Sequence, residues 1–435
     1  MIGAANRRTL AALVAIAGIA AALTGCGGSS AGAASGKDTG TNPLVVAAFN
    51  PFSGPDASFG PEEMAGCIPA AAAIEAAGGI LNHKKISCKA VDSRGDPADA
   101  VPAAESLIAT TSGLIGVIGP SSDEATATVP LFNRAHIPMI GDTGQAAFDH
   151  SNFKYFFRIT APDDAVGYAM ALFAHQKGYT RAVGVFGSDI SSQGTAPSVA
   201  KGFRHLGGQI MMQKVPLDQS SYRTEVLQAV AYKPQVVFTE ADPQTDATYL
   251  SELVQLYHPI PIIGSNGTNQ PPWFKAVGGA IGQQNLLKYY GGAQPYAPLS
   301  GPAYQDWRQQ LAAVAKQVPQ PVTQWQTDSY SMSYWDTVNL FALAAEMAKT
   351  TNPAVFTPDI VKVTTPKPGA VIVHDFAEGK RALLAGKQIQ YIGAVGPITF
   401  DRWRNSPGEF EVVEANTALT PIATYTAQQV QAARP

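Results

Sequence analysis

Charge is scarce in this chain of 435 residues. Aspartate, glutamate, lysine and arginine together make up 14% of it, with 30 basic residues set against 33 acidic ones. A balance this even, with no basic run, excludes the electrostatic footprint of a nucleic-acid binder. Cysteine is scarcer still, at three residues, and the seven histidines are scattered without metal-ligand spacing. H-E-x-x-H, C-x-x-C and a Walker A loop are all missing. No metal, no cofactor and no nucleophile–base pair emerges, so the pattern points away from an enzyme. What is plentiful is apolar: 46% of the residues are hydrophobic, ample for sizeable cores, and the length suits two to three domains.

The long apolar run lies at the N-terminus. Arg7 and Arg8 precede an apolar segment at 10–23, and Leu23-Thr24-Gly25-Cys26 follows. The run is short for a membrane span and has signal-peptide flanks. It resembles a bacterial lipoprotein signal with its L-x-G-C lipobox. That resemblance implies cleavage before Cys26, lipidation of Cys26, and anchoring on the outer face of the cell membrane. Residues 1–25 are then a signal peptide, and 26–42, rich in Gly, Ser, Ala and Thr, a flexible tether. Cys67 and Cys88 remain as a pair in an exported chain, where disulfides persist. Cys67 falls in a predicted helix at 64–77 and Cys88 in a predicted strand at 85–91, which packing could bring together.

From residue 44 onward, strand and helix alternate. Short β-branched runs at 44–49, 86–91, 114–118, 181–186, 209–215, 235–239 and 260–263 read as buried strands. Helical segments of ordinary length lie between them, among them 98–111, 164–177, 194–206, 221–231 and 245–257. This is the grammar of βαβ units, hence an α/β fold with mainly parallel sheets flanked by helices. In such sheets, ligands bind beyond the carboxyl ends of strands. Two successive ends carry Ser121-Ser122 and Thr143-Gly144-Gln145. Ser121 and Ser122 read equally as helix N-caps. Two further helical candidates, 301–318 and 328–349, follow.

Several stretches together resemble one family. They are Ser53–Pro55 (SGP) with Phe59-Gly60, 76–80 (AAGGI), 91–97 (VDSRGDP), 117–122 (VIGPSS) and 137–140 (IPMI). Gly264–Gly267 (GSNG), Tyr334-Trp335-Asp336 and 396–401 (GPITFD) continue the series. In order and spacing they resemble the type I periplasmic solute-binding proteins of ABC importers, in the Leu/Ile/Val-binding family. The resemblance implies a two-lobed clamshell with three hinge crossings. Lobe 1 would be 43–160 plus 288–399, lobe 2 would be 161–287 plus 400–420, and 421–435 a C-terminal tail. It also implies a monomeric extracytoplasmic receptor that passes a small solute to an ABC permease and its ATPase. A sensor or structural envelope lipoprotein on the same fold is the alternative.

The family's site carries over position by position. Ser121 or Ser122 would receive a ligand carboxylate, and Thr143, Gly144 and Gln145 would supply loop groups. Phe59 stands where a tyrosine is common, and Gln193 replaces a second tyrosine. Asn266 occupies the place of the acid that holds an amino-acid ammonium. A buried ammonium needs an anionic or multiply accepting partner, and Asp242, from the neighbouring loop, is one candidate substitute. With Asp242 in that role the ligand is an amino acid; without it, an amide, urea-like molecule or organic acid. Packing for Phe59, helix capping for Asp189 and Asp242, and a simple turn at Asn266 are the competing roles. Trp273 is placed on the cleft wall, and Tyr334 and Trp335 in the core.

Overall fold

The computed structural model describes residues 42–435 apart from 55, 82, 84, 407 and 416–418. The expected signal peptide, Cys26 and the tether up to residue 41 lie outside the described residues. Among the described residues, no helix is long and apolar enough to cross a membrane.

Five strands form the first sheet: β1 (Leu44–Asn50), β2 (Ile86–Asp92), β3 (Leu114–Ile118), β4 (Met139–Gly141) and β5 (Phe156–Arg158). Their order is β2-β1-β3-β4-β5, and every pairing is parallel. The second sheet gathers β6 (Arg181–Gly187), β7 (Gln209–Val215), β8 (Val236–Glu240), β9 (Ile262–Gly264) and β10 (Tyr290–Pro295). A small sheet follows, made of β11 (Val371–Val373), β12 (Ile389–Gly393) and β13 (Gly396–Pro397). The chain then returns to the second sheet as β14 (Phe410–Glu414) and β15 (Pro421–Tyr425), both antiparallel additions. The final order there is β15-β14-β10-β9-β8-β6-β7. The result is two α/β lobes joined by three crossings: after β5, after β10, and between β13 and β14.

Two boundaries differ from the sequence reading. The second crossing falls after Pro295 rather than at 288, because β10 is part of the second sheet. Its sequence, YGGAQP, contains no β-branched residue, so nothing local marks it as a strand. Residues 421–435 are not a tail. β15 pairs with β14, the Tyr425 hydroxyl donates to Gln176 Oε1 at 2.7 Å, and Val430 and Ala433 are buried in the second lobe.

The first lobe is built around the helix Ser329–Ala348, capped by Asp328, which accepts from Ser331 N at 2.7 Å. That helix is buried along most of its length, as its apolar composition requires. The helix Phe59–Ala76 packs tightly on it at Gly66. A Cβ there would lie 2.5 Å from Ser331 O and 2.8 Å from Trp335 N, so only glycine permits the approach. One position further along, Cys67 is joined to Cys88 of β2 by a disulfide, with Cα atoms 6.0 Å apart. Tyr334 and Trp335 are core residues, as expected. Trp273 is not on the cleft wall. It is fully buried in the second lobe, with Nε1 donating to Asp246 Oδ2 at 2.8 Å.

Candidate ligand-binding site

The loops at the carboxyl ends of both sheets face each other across a cleft. On the first lobe, β3 stops at Gly119-Pro120 and the helix Ser122–Arg134 begins. Ser121 is its N-cap. Its hydroxyl donates to Glu124 Oε2 at 2.7 Å, and its N–H donates to Glu124 Oε1 at 3.3 Å. Ser122 is engaged with the next loop: its Oγ lies 3.2 Å from Thr143 Oγ1, and its carbonyl accepts from Gln145 Nε2. The Gly144 carbonyl accepts the Asp163 N–H at 2.8 Å. A Cβ on Gly144 would lie 1.8 Å from Asp163 Oδ1, so the missing side chain makes room for that carboxyl.

Two neighbouring chambers that share part of their lining occupy the cleft. The inner one, about 30 Å³, is lined by Glu62, Ser121, Ser122, Asp142, Asp163, Asn266 and Tyr330. The outer one, about 270 Å³, is walled chiefly by Asp56, Asp123, Asp189, Glu240 and Asp242. Phe59, Ser191 and Gln270 line both. Further hydrogen bonds tie the lobes together here. Ser191 N donates to Asp123 Oδ1 at 3.1 Å, and Gln270 Nε2 donates to Glu62 Oε1.

The walls are acidic, with few opposing charges. Among the described residues, Arg94 is the only basic side chain lining either chamber; it is exposed and lies 3.8 Å from Asp99. Arg158 lies behind the wall, fully buried. It pairs with Asp149, donates to Asn405 Oδ1 at 3.1 Å, and reaches the carbonyls of Thr143 and Gln145 at 3.4 and 3.3 Å. Burial therefore pushes the carboxyls up, as it disfavours the charged form. Asp56 rises to about 8, helped by the neighbouring charges of Asp123 and Asp189. Glu240 rises to about 8 through burial and the charge of Asp163, opposed by nearby hydroxyls of Thr195 and Ser265. Asp163 reaches about 7 by burial, despite the opposing charge of Arg158. Asp123 reaches about 6, and burial drives Glu62 well above the usual range.

The structure brings Phe59, Ser121, Ser122, Asp242 and Asn266 to the cleft. Thr143, Gly144 and Gln145 sit behind it and hold the Ser122 loop. Gln193 is turned back, its amide donating to the Gly187 carbonyl at 2.6 Å, and the wall there is Ser191 and Ser192 instead. Asp189 and Asp242 are helix caps that also line the outer chamber. One oxygen of each caps a helix, Asp189 at Ser192 N and Asp242 at Gln244 N and Thr245 N. The other oxygen of each is buried without a partner. Beside the Asn266 loop stands an acid absent from the expected set. Glu240 Oε1 would lie 3.6 Å from a Cβ on Gly267. Glu240 ends β8 and Asp142 directly follows β4, so the carboxyl-end rule could have found them. Glu62, inside a helix, and Asp163, after a crossing, carry no such local signal.

Two α/β lobes closed over a polar cleft by three crossings define a type I binding-protein clamshell. The sequence matches the periplasmic binding protein family over residues 43–382, and the chain belongs to that family. No curated protein sequence matches it. Among solved structures it is similar to a leucine-binding protein from Thermotoga maritima, at 18% identity and a TM-score of 0.70, over 88% of this chain and 99% of that one. It is similar to a branched-chain amino acid transporter substrate-binding protein from Streptococcus pneumoniae bound to isoleucine, with 17% identity, a TM-score of 0.69, and coverage of 89% and 99%. A solute-binding protein of an ABC transporter from R. palustris, in complex with benzoate, has 16% identity and a TM-score of 0.67, over 88% of this chain and 97% of that one. These likenesses, all under 25% identity, establish the fold. The family is one of extracytoplasmic solute-binding proteins.

Proposed function

We propose that this chain is a lipid-anchored solute receptor of an ABC importer, binding a small solute with at least one amino group and delivering it to a permease. The observation that carries the reading is the cleft itself. Buried polar atoms without partners face it from both lobes, among them Asp142 Oδ1, Asp163 Oδ2, Glu240 Oε2 and Gln270 Oε1. Leaving such atoms unsatisfied costs free energy that a fitting ligand recovers. Glu240, rather than Asp242 alone, stands in for the acid absent at Asn266. An organic acid fits poorly, because its carboxylate would enter a wall already rich in carboxyls. Ligand would bridge the lobes and hold them shut, as hinge closure requires. The test is a thermal-shift panel on the purified chain with amino acids, amides, amines and organic acids. A ligand well above its dissociation constant raises stability by a few kcal/mol. A panel in which amines or amino acids stabilise and organic acids do not supports the reading. A hit confined to organic acids refutes it.

A further inference from the structure

The distribution of acids narrows the ligand further, on the premise that this cleft is the solute site. Nine carboxyl groups line the two chambers, and they fall into two sets. Glu62, Asp142 and Asp163 surround the inner chamber. Asp56, Asp96, Asp123, Asp189, Glu240 and Asp242 surround the outer one. Each set keeps unpartnered oxygens: Asp142 Oδ1 and Asp163 Oδ2 inside, Glu240 Oε2, Asp189 Oδ2 and Asp242 Oδ2 outside. Glu240 is 6% exposed. Gln270, 5% exposed and lining both chambers, keeps Oε1 free while its amide holds Glu62.

We propose that the ligand is a linear organic dication, a diamine or a longer polyamine, with one ammonium among Glu62, Asp142 and Asp163 and the other among Glu240, Asp189 and Asp242. The inner chamber has room for about one or two water-sized groups, which suits an ammonium head. The larger outer chamber takes the rest of the chain. Phe59 lies at the junction and Tyr330 in the inner wall, so aromatic surface is available to the methylenes and to the cations.

Competing ligands fit less well. An amino-acid carboxylate would look for a helix N-terminus, but at this cleft several of those N–H groups are already taken by the protein's own acids. Glu124 takes the Ser121 N–H, while Asp189 and Asp123 take Ser192 N and Ser191 N. Among the described residues, no three acid, histidine or cysteine side chains converge closely enough to hold a metal ion. The acids fall into two sets on either side of a shared wall of Phe59, Ser191 and Gln270, which matches charges separated by a hydrocarbon stem.

The experiment is calorimetric titration of the purified full chain with 1,4-diaminobutane, spermidine, n-butylamine, 4-aminobutyrate, leucine, benzoate and magnesium chloride. The expected order places the two polyamines first, at least about tenfold tighter than n-butylamine, since a second charge-assisted contact is worth that much. Their affinity should fall with added salt. In Glu62→Gln, the diamine-to-monoamine ratio should collapse toward one, because the variant weakens one end alone. Equal affinity for n-butylamine and 1,4-diaminobutane in the wild type overturns the dication. Tightest binding of leucine, 4-aminobutyrate or benzoate also overturns it, but leaves the solute-receptor reading standing. Magnesium binding as tight as the diamine means general neutralisation of acids and overturns it too. Silence from every compound overturns both the dication and the receptor reading.

Discussion

Replacing Glu240 by glutamine should stabilise the ligand-free protein at neutral pH and remove part of its pH dependence. Glu240 is buried at the end of β8, near the charges of Asp163 and Asp189 of the same lobe, and accepts from Ser191 Oγ at 3.3 Å. Its folded-state pKa is raised from 4.5 to about 8. The folded chain thus holds a proton that the unfolded chain has released. Stability from this group is complete below the unfolded value and is lost as pH rises toward the folded one. The loss grows by about 1.4 kcal/mol per pH unit within that window, reaching roughly 3 kcal/mol at pH 7. Glutamine keeps the shape and cannot ionise, so it escapes the loss. Urea unfolding of wild type and Glu240→Gln, without ligand, at pH 5, 6, 7 and 8 provides the assay. The gap between the two should be small at pH 5 and widen to a few kcal/mol by pH 8. A gap that stays constant across this range would show that Glu240 titrates normally and would refute the buried-acid account.

Other perturbations read different parts of the molecule. Asp123→Ala removes the acceptor for Ser191 N–H, so the lobes should open, seen as a larger radius of gyration in solution scattering, while each lobe stays folded. Arg158→Ala strips a buried cation from Asp149 and Asn405 at the first and third crossings, and should cost about 3–5 kcal/mol in chemical denaturation. Reduction of Cys67–Cys88, which closes a loop with a sequence separation of 21, should cost about 3 kcal/mol, read as a shift in urea midpoint. Gly144→Ala should displace Asp163 and weaken ligand binding more than global stability, separable by comparing titration with unfolding.

Local patterning decided much of this protein. The run QIMMQKV is strand β7 over the same residues that alternation and β-branching predict. Asp328 caps the long buried helix where composition says one should begin. Ser121 is a cap because a glutamate stands three residues on, a relation legible in any sequence. The pairing of Cys67 with Cys88 draws on a chain with only three cysteines, and helix-on-strand packing supplies the proximity. Such features arise from interactions among residues close along the chain, or from so few candidates that one solution remains.

The tertiary structure alone decided the character of the cleft. Composition shows a nearly neutral protein with little charge, yet nine of its carboxyls gather on two facing walls drawn from distant segments. Glu62 comes from a helix interior of the first lobe, while Asp163, at the start of a helix after the first crossing, and Glu240, at the end of a strand, come from the second. No periodicity links them, because they meet only when the two lobes close. β10 became a strand for the same kind of reason. Its glycines and proline carry no strand propensity, but β9 and β14 on either side supply hydrogen-bonding partners that outweigh it.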